Sequence, residues 1–270
     1  MTHATLGSRT GQLASGAPGG GVLHISRRMA REVRLPWKAL LRSKARELSV
    51  RARGGRIQGQ GMIGADPRAV LDGFSRLRDE EFHAYNLPQV WVESRQIPRA
   101  ISGRVPRFGA RLLDLGCGPG TSTEILCRFG NPSWEIIGFE AVSRYVEVAR
   151  ARGAAGSFRS ARGEVMRPWF ECQDISRPLV VRGERVADGS ADFAISGGVV
   201  GLYLRPAQVE SLVHELARVV RAGGFIALDS GPAISARVLR TLAEEAGFTY
   251  VRRCRSVWLE PRPKLVFRRA

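Results

Sequence analysis

Three acids in this chain each close a short apolar run: Leu112-Leu113-Asp114, Trp134-Glu135-Ile136-Ile137-Gly138-Phe139-Glu140, and Trp169-Phe170-Glu171-Cys172-Gln173-Asp174. The first is followed by Leu115-Gly116-Cys117-Gly118-Pro119-Gly120-Thr121, and Ser122 to Cys127 then runs at helical spacing. Alternating glycines leave no Cβ between a ligand and the backbone N–H groups. The helix start adds unpaired donors and a positive dipole end, a place for a carboxylate or a phosphate. A fourth apolar run, Ala191-Asp192-Phe193-Ala194-Ile195-Ser196, leads into Gly197-Gly198-Val199-Val200-Gly201-Leu202-Tyr203.

These groups meet only if the runs are parallel strands whose ends share one edge. The helical patterns between them say so: Ser122–Cys127, then Arg144 to Ala149, then Pro206 to Val220 with Val209, Leu212, Val213, Leu216, Val219 and Val220 on one stripe. Strands alternating with helices imply a parallel sheet with right-handed crossovers and ligands at the strands' C-terminal ends. The long helix is expected to end at Arg221-Ala222-Gly223-Gly224, a C-cap glycine signal, ahead of a strand from Phe225 to Leu228. A helix over Ala236–Ala246 and two strands near Phe248–Val251 and Lys264–Phe267 close the chain. Ahead of the sheet, Asp66-Pro67 suits a helix start, and two or three helices are expected over residues 66–104.

The chain has 270 residues, 44% hydrophobic and 25% charged, the balance of a soluble globular protein. No apolar run approaches the ~18 residues of a membrane span, so no integral membrane contact is expected. No signal-peptide core stands at the N-terminus, and Arg27-Arg28 is followed by more charge; a cytoplasmic protein is expected. Cys117, Cys127, Cys172 and Cys254 lack metal or redox spacing and read as small hydrophobes, with no metal site. Residues 1–60 hold twelve Lys and Arg against two Glu, ten of the seventeen net positive charges. The first 23 are Gly-, Ala- and Ser-rich and read as disordered. The basic segment 24–60 can touch RNA or an anionic surface. Its Arg dominance is also what a biased base composition gives, which weakens the RNA reading.

The pattern G-x-G-x-G, with an acid two positions before the first glycine, resembles the first motif of the S-adenosylmethionine (SAM)-dependent methyltransferases of class I. A dinucleotide fingerprint is spaced differently, with its acid about 20 residues further on. The resemblance covers about residues 105–270. It implies an α/β, Rossmann-like, doubly wound and mostly parallel seven-stranded sheet with a C-terminal antiparallel hairpin strand. The expected organisation is a disordered basic arm and linker (1–65), a helical lid (66–104) and the SAM-binding domain (105–270). By motif position, Gly116, Gly118 and Gly120, with Cys117 and Thr121, would line the methionine portion. Asp114 would orient that end, and Glu140, in the turn with Ala141 and Val142, would accept the ribose hydroxyls. Asp174 would receive the adenine amine, with Ile175 and Val142 against the ring. Ser196 and Gly197 would face the transferred methyl.

The run from Ser196 resembles the family's S-N-G-V-L-H-H, with Gly197 where Asn is usual and Gly201 and Leu202 where many relatives carry histidine. A histidine mechanism at this loop is therefore in doubt, and candidate catalytic groups are His83 and Tyr85 from the lid and Tyr203. Trp91 and Glu93 are further pocket candidates, while His214 on the long helix reads as structural. The leading expectation is methyl transfer from SAM to O or N of a small molecule (class 2.1.1). The alternatives are an RNA methyltransferase using the basic arm and a non-catalytic SAM-binding or interaction protein; no oligomeric state follows.

Overall fold

The computed structural model describes residues 21–25, 67–77, 79–255 and 263–270. The basic arm, apart from residues 21–25, therefore lies outside the described residues.

Two helices precede the sheet, α1 (Pro67–Ser75) and α2 (Asp79–Ile101), the second running 23 residues through Pro88 and Pro98. Then come β1 (Arg111–Leu115), α3 (Thr121–Phe129), β2 (Glu135–Glu140), α4 (Ser143–Ala154) and β3 (Trp169–Cys172). The link after Ile175 holds a small antiparallel hairpin, β4 (Val180–Val181) with β5 (Glu184–Arg185), in place of a crossover helix. The chain continues as β6 (Ala191–Ser196), α5 (Pro206–Val219), β7 (Val220–Asp229), α6 (Ala236–Glu245), β8 (Phe248–Cys254) and β9 (Lys264–Arg269).

The main sheet has seven strands in the order β3-β2-β1-β6-β7-β9-β8. The first five are parallel; β9 pairs antiparallel with both β7 and β8. Side chains alternate across a strand, so successive residues of β1 enter different layers. Leu113 and Leu115 join Ile137, Phe139 and the buried faces of α5 and α6 on one side. Leu112 and Ile136 join Ile97 and Ile101 of α2 and Leu126 of α3 on the other. A sheet covered on both faces explains why its strands read as near-continuous apolar runs.

Gly223 and Gly224 do not cap α5. The helix ends at Val219, and Val220 is already extended at φ −81°, ψ 128°. Ala191 pairs with Val220 and Phe193 with Phe225, so Arg221–Gly224 bulge opposite the single residue Asp192. Gly223 takes φ 74° in that bulge, and the Arg221 guanidinium holds Asp192 at 2.7 Å. The glycines thus serve a strand, because a bulge needs positive φ as much as a helix end does.

Candidate active site

The sheet order reverses between β1 and β6, the kind of switch point where open α/β sheets bind ligands. Two loops line this crevice: the glycine turn after β1 and the Ser196–Tyr203 loop after β6.

Gly116, Gly118 and Gly120 all have positive φ, at 74°, 54° and 85°. Most of the turn's N–H donors are spent inside the protein. Gly116 and Cys117 donate to the Phe139 carbonyl at 2.8 and 3.0 Å, Gly120 and Thr121 to that of Cys117, and Gly118 to Glu140 Oε2 at 2.9 Å. What the glycines supply is space. A Cβ at Gly116 would lie 2.2 Å from Val199 Cγ2, and one at Gly118 3.1 Å from Phe82 Cζ. The Cys117 thiol is buried, and burial pushes its titration well up. Gly138 on β2 makes room for it, since a Cβ there would meet that sulfur at 2.8 Å.

Glu140 also accepts from the Val142 N–H through Oε1 at 2.9 Å, across the Ala141 turn. Burial raises this carboxyl above its ordinary range, against the pull of the N–H groups of Val142 and Gly118. Asp174 holds a tight turn, its Oδ1 accepting from the Ser176 N–H and hydroxyl at 2.9 and 2.8 Å. Ile175 is buried in the main core, and Val142 packs with Phe82 and Tyr145. Asp114 is fully enclosed at 0% exposure and accepts from the Ser122 hydroxyl at 2.9 and 2.8 Å and from that of Thr123 at 2.6 Å. Burial lifts it to about 6, with the hydroxyls opposing. It clamps the first turn of α3 to β1.

The loop after β6 is built differently. Ser196 donates its hydroxyl to Asp229 Oδ1 at 2.9 Å, and Gly201 donates its N–H to Oδ2 at 2.8 Å. The ammonium of Lys264, itself fully buried, donates to the Ser196 carbonyl. A Cβ at Gly197 would sit 1.9 Å from Glu93 Oε1, and one at Gly198 2.9 Å from Gln89 Cδ. The space of the missing Asn side chain is thus taken by a carboxylate from α2. Gln89 Nε2 donates to Glu93 Oε1 at 3.0 Å. Glu93 is 4% exposed, and burial raises its carboxyl to about 7, with Lys264 opposing. A side chain at Gly201 is barred by Ser230 backbone at 2.4 Å, which accounts for the absent histidine.

Tyr203 packs edge-on against Phe74 of α1, with ring centroids 5.2 Å apart. The side chains of His83 and Tyr85 lie outside the described residues, although both positions are on α2. His214 is exposed on α5. Phe82 contacts Tyr145 at 4.2 Å, and the Tyr145 hydroxyl donates to the Phe74 carbonyl, so the α1–α2 turn is seated on α4 beside the crevice. Asp229 and Lys264 are the groups missed by sequence reasoning. A signal for Asp229 existed: Phe225-Ile226-Ala227-Leu228-Asp229 is one more apolar run ending in an acid.

No helix among the described residues is long and apolar enough to cross a membrane. Residues 112–224 match the model of a methyltransferase domain family, a stretch that contains both crevice loops and leaves out Glu93, Asp229 and Lys264. The chain is 31% identical over 168 residues to trans-aconitate 2-methyltransferase of Methylobacterium radiotolerans, covering 57% of this chain and 61% of that one. It is 34% identical over 97 residues to ubiquinone biosynthesis O-methyltransferase of Cereibacter sphaeroides, 34% of this chain and 38% of the relative. It thus spans less than two thirds of these curated relatives. The pyocyanin biosynthetic protein PhzM has a similar fold, with a TM-score of 0.55, 16% identity, and coverage of 77% of this chain and 62% of that one.

Proposed function

We infer, for a chain that belongs to the class I, Rossmann-like superfamily of SAM-dependent methyltransferases, that it binds SAM in the β1–β6 crevice and methylates an oxygen or nitrogen of a small molecule. The residues fit the cofactor. SAM brings two ribose hydroxyls, an adenine amine, an ammonium and a sulfonium, and ionised carboxylates are acceptors only. Glu140 and Asp174 stand at the ends of β2 and β3 to take the hydroxyls and the amine, and the positive-φ glycines let Val199 and Phe82 close over the turn. The buried acids Asp114 and Asp229 lie close enough to buried Glu93 to act on its charge, with Lys264 the ammonium that opposes them, so the crevice suits a cationic ligand.

Bound SAM supplies an electrophilic methyl group. The protein's work is then alignment and exclusion of water. Glu140 and the glycine turn fix the nucleoside end, while α1 and α2 wall the crevice with Phe82 and Phe74. The observation that carries the reading is the bond between Glu140 Oε2 and the Gly118 N–H. It joins the acid suited to a ribose diol and the Cβ-free turn into one wall. Glu93 in the space beside Gly197 weighs against a non-catalytic relative, because that loop keeps a polar group supplied from elsewhere in the chain.

Calorimetric titration tests this. SAM should bind the wild type, and Glu140→Ala should lose about 1.5–3 kcal/mol of that affinity, the worth of charge-assisted hydrogen bonds. Equal affinities remove Glu140 from the ribose role. Methyl-labelled SAM incubated with the protein and a cell extract should label the small-molecule fraction; label confined to RNA overturns the substrate class.

A further inference from the structure

We propose that Glu93 is the counter-charge for the cationic sulfur of SAM, so that the protein distinguishes SAM from its neutral thioether product, S-adenosylhomocysteine, through the ionisation of this one carboxylate. The inference rests on the SAM-binding reading above and concerns a residue that lies outside the stretch matching the methyltransferase family.

Position comes first. The space a Gly197 side chain would fill holds Glu93 Oε1, so the carboxylate stands against the C-terminal end of β6. Two residues on, Val199 lies over Gly116. The loop that receives Glu93 therefore also roofs the glycine turn, and the carboxylate borders the crevice between β1 and β6. It is held there rather than free to wander, since Gln89, one turn earlier on α2, donates to Oε1 and is itself lodged against Gly198. Among the described residues, Oε2 accepts no hydrogen bond.

Charge comes second. Among the described residues, the groups that act most strongly on Glu93 are Gln89 of its own helix, Asp114 of β1, Asp229 of β7 and Lys264 of β9. Lys264 is the single cation among them, and its ammonium is bonded to the Ser196 carbonyl. Three buried carboxylates around one ammonium leave negative charge uncompensated when all are ionised, and burial of an uncompensated charge is costly. The protein alone meets this by protonating an acid, and Glu93, raised to about 7, is the one poised to do so near neutral pH. A ligand with a positive sulfur relieves the same deficit and drives the proton off. A ligand whose sulfur is neutral does not. After methyl transfer the site would therefore lose a favourable charge pair and take up a proton, which speeds departure of the product.

The test compares SAM with S-adenosylhomocysteine on the full chain by calorimetry, at pH 6 and pH 8 and in buffers of different ionisation enthalpy. Both ligands carry the same amino-acid end, so its titration cancels in the ratio of affinities. For a carboxyl near 7 that must be ionised to receive the sulfonium, the preference for SAM should grow roughly tenfold between pH 6 and pH 8. At pH 6 SAM binding should release close to one proton more than product binding. Glu93→Gln should flatten the pH dependence and abolish the extra proton, leaving product affinity within about twofold, a margin well under 1 kcal/mol. A wild-type preference that ignores pH overturns the proposal whether or not the variant folds. A variant that keeps the pH-dependent preference also overturns it and reduces Glu93 to a partner of Lys264. Failure of both ligands to bind the wild type would instead sink the SAM reading itself.

Discussion

The two sides of the crevice are held by different kinds of interaction. On the β1–β3 side each acid is tied to groups close along the chain or in the turn after the neighbouring strand: Asp114 to a hydroxyl eight residues on, Glu140 to N–H groups two and twenty-two residues away, Asp174 to Ser176. On the β6–β9 side Ser196 is bonded to Asp229, thirty-three residues on, and to Lys264, sixty-eight residues on, while Glu93 arrives from the helix before the sheet. The hydrogen bonds on the first side come from neutral donors, although Asp114 also feels the Lys264 ammonium. The second is a knot of like charges around one ammonium. On the proposed reading, the wall that holds the nucleoside end is built locally, whereas the side nearer the transferred methyl draws on distant segments, so a change there should leave the nucleoside wall undisturbed.

The largest test of that contrast is Lys264→Met. Removing the single ammonium leaves Asp229 and Glu93 buried without a counter-ion, and breaking a buried charge group typically costs about 3–5 kcal/mol. Thermal or urea unfolding should register it. A half-exposed pair such as Arg240–Glu244 on α6 gives the yardstick, since removing it should cost under about 0.5 kcal/mol. A Lys264 variant no worse than an Arg240 variant would mean that the charges on the β6–β9 side carry little of the fold.

A second, smaller effect lies in the pH dependence of stability. Asp114 and Glu93 titrate near 6 and 7 in the folded chain, above their ordinary values, because burial disfavours the charged form. Their neutral forms therefore favour the fold. That contribution is complete below the ordinary carboxylate range of about pH 4 and is lost as the pH rises through about 6 for Asp114 and about 7 for Glu93. Glu93→Gln should accordingly gain stability on the wild type between pH 5 and pH 8, by roughly 1–2 kcal/mol. Asp114→Asn should gain less, because its carboxylate already has two hydroxyl donors, Ser122 and Thr123. If the Asp114 variant gains more, the β1–β3 side is not the satisfied one.

The same contrast governs what the sequence discloses. The strand–turn–helix around Gly116, the acids at the ends of β1, β2 and β3, the amphipathic α5 and the final antiparallel strands all follow from periodicity and turn residues within a short window. The β4–β5 hairpin escapes because four paired residues make no pattern. The run of α2 through Pro88 and Pro98 escapes because each proline removes one helical bond locally while Ile97 and Ile101 anchor the helix in the core. Lys264 escapes for a sharper reason. A lysine heading Leu265-Val266-Phe267 looks like a solvated strand end, and only the folded chain brings it under Ser196. Glu93 is visible as a pocket group, but its place beside Gly197 depends on two segments about a hundred residues apart.

Asp174→Asn offers the finest discrimination. Asparagine keeps the oxygen that accepts from the Ser176 N–H and hydroxyl, so the turn survives and the unfolding midpoint should stay within about 0.5 kcal/mol of wild type. What changes is the other atom, from an acceptor to an NH2 donor. Against the adenine amine this replaces a hydrogen bond by two facing donors, and SAM affinity should fall by about 0.5–1.5 kcal/mol. An analogue with a 6-oxo group in place of the amine presents an acceptor there, so the variant should bind it better than the wild type does. That crossing of preferences is something a turn-stabilising acid would not produce. If both proteins rank the two ligands alike, Asp174 belongs only to its turn, and recognition on the β1–β3 side rests with Glu140 and the glycines.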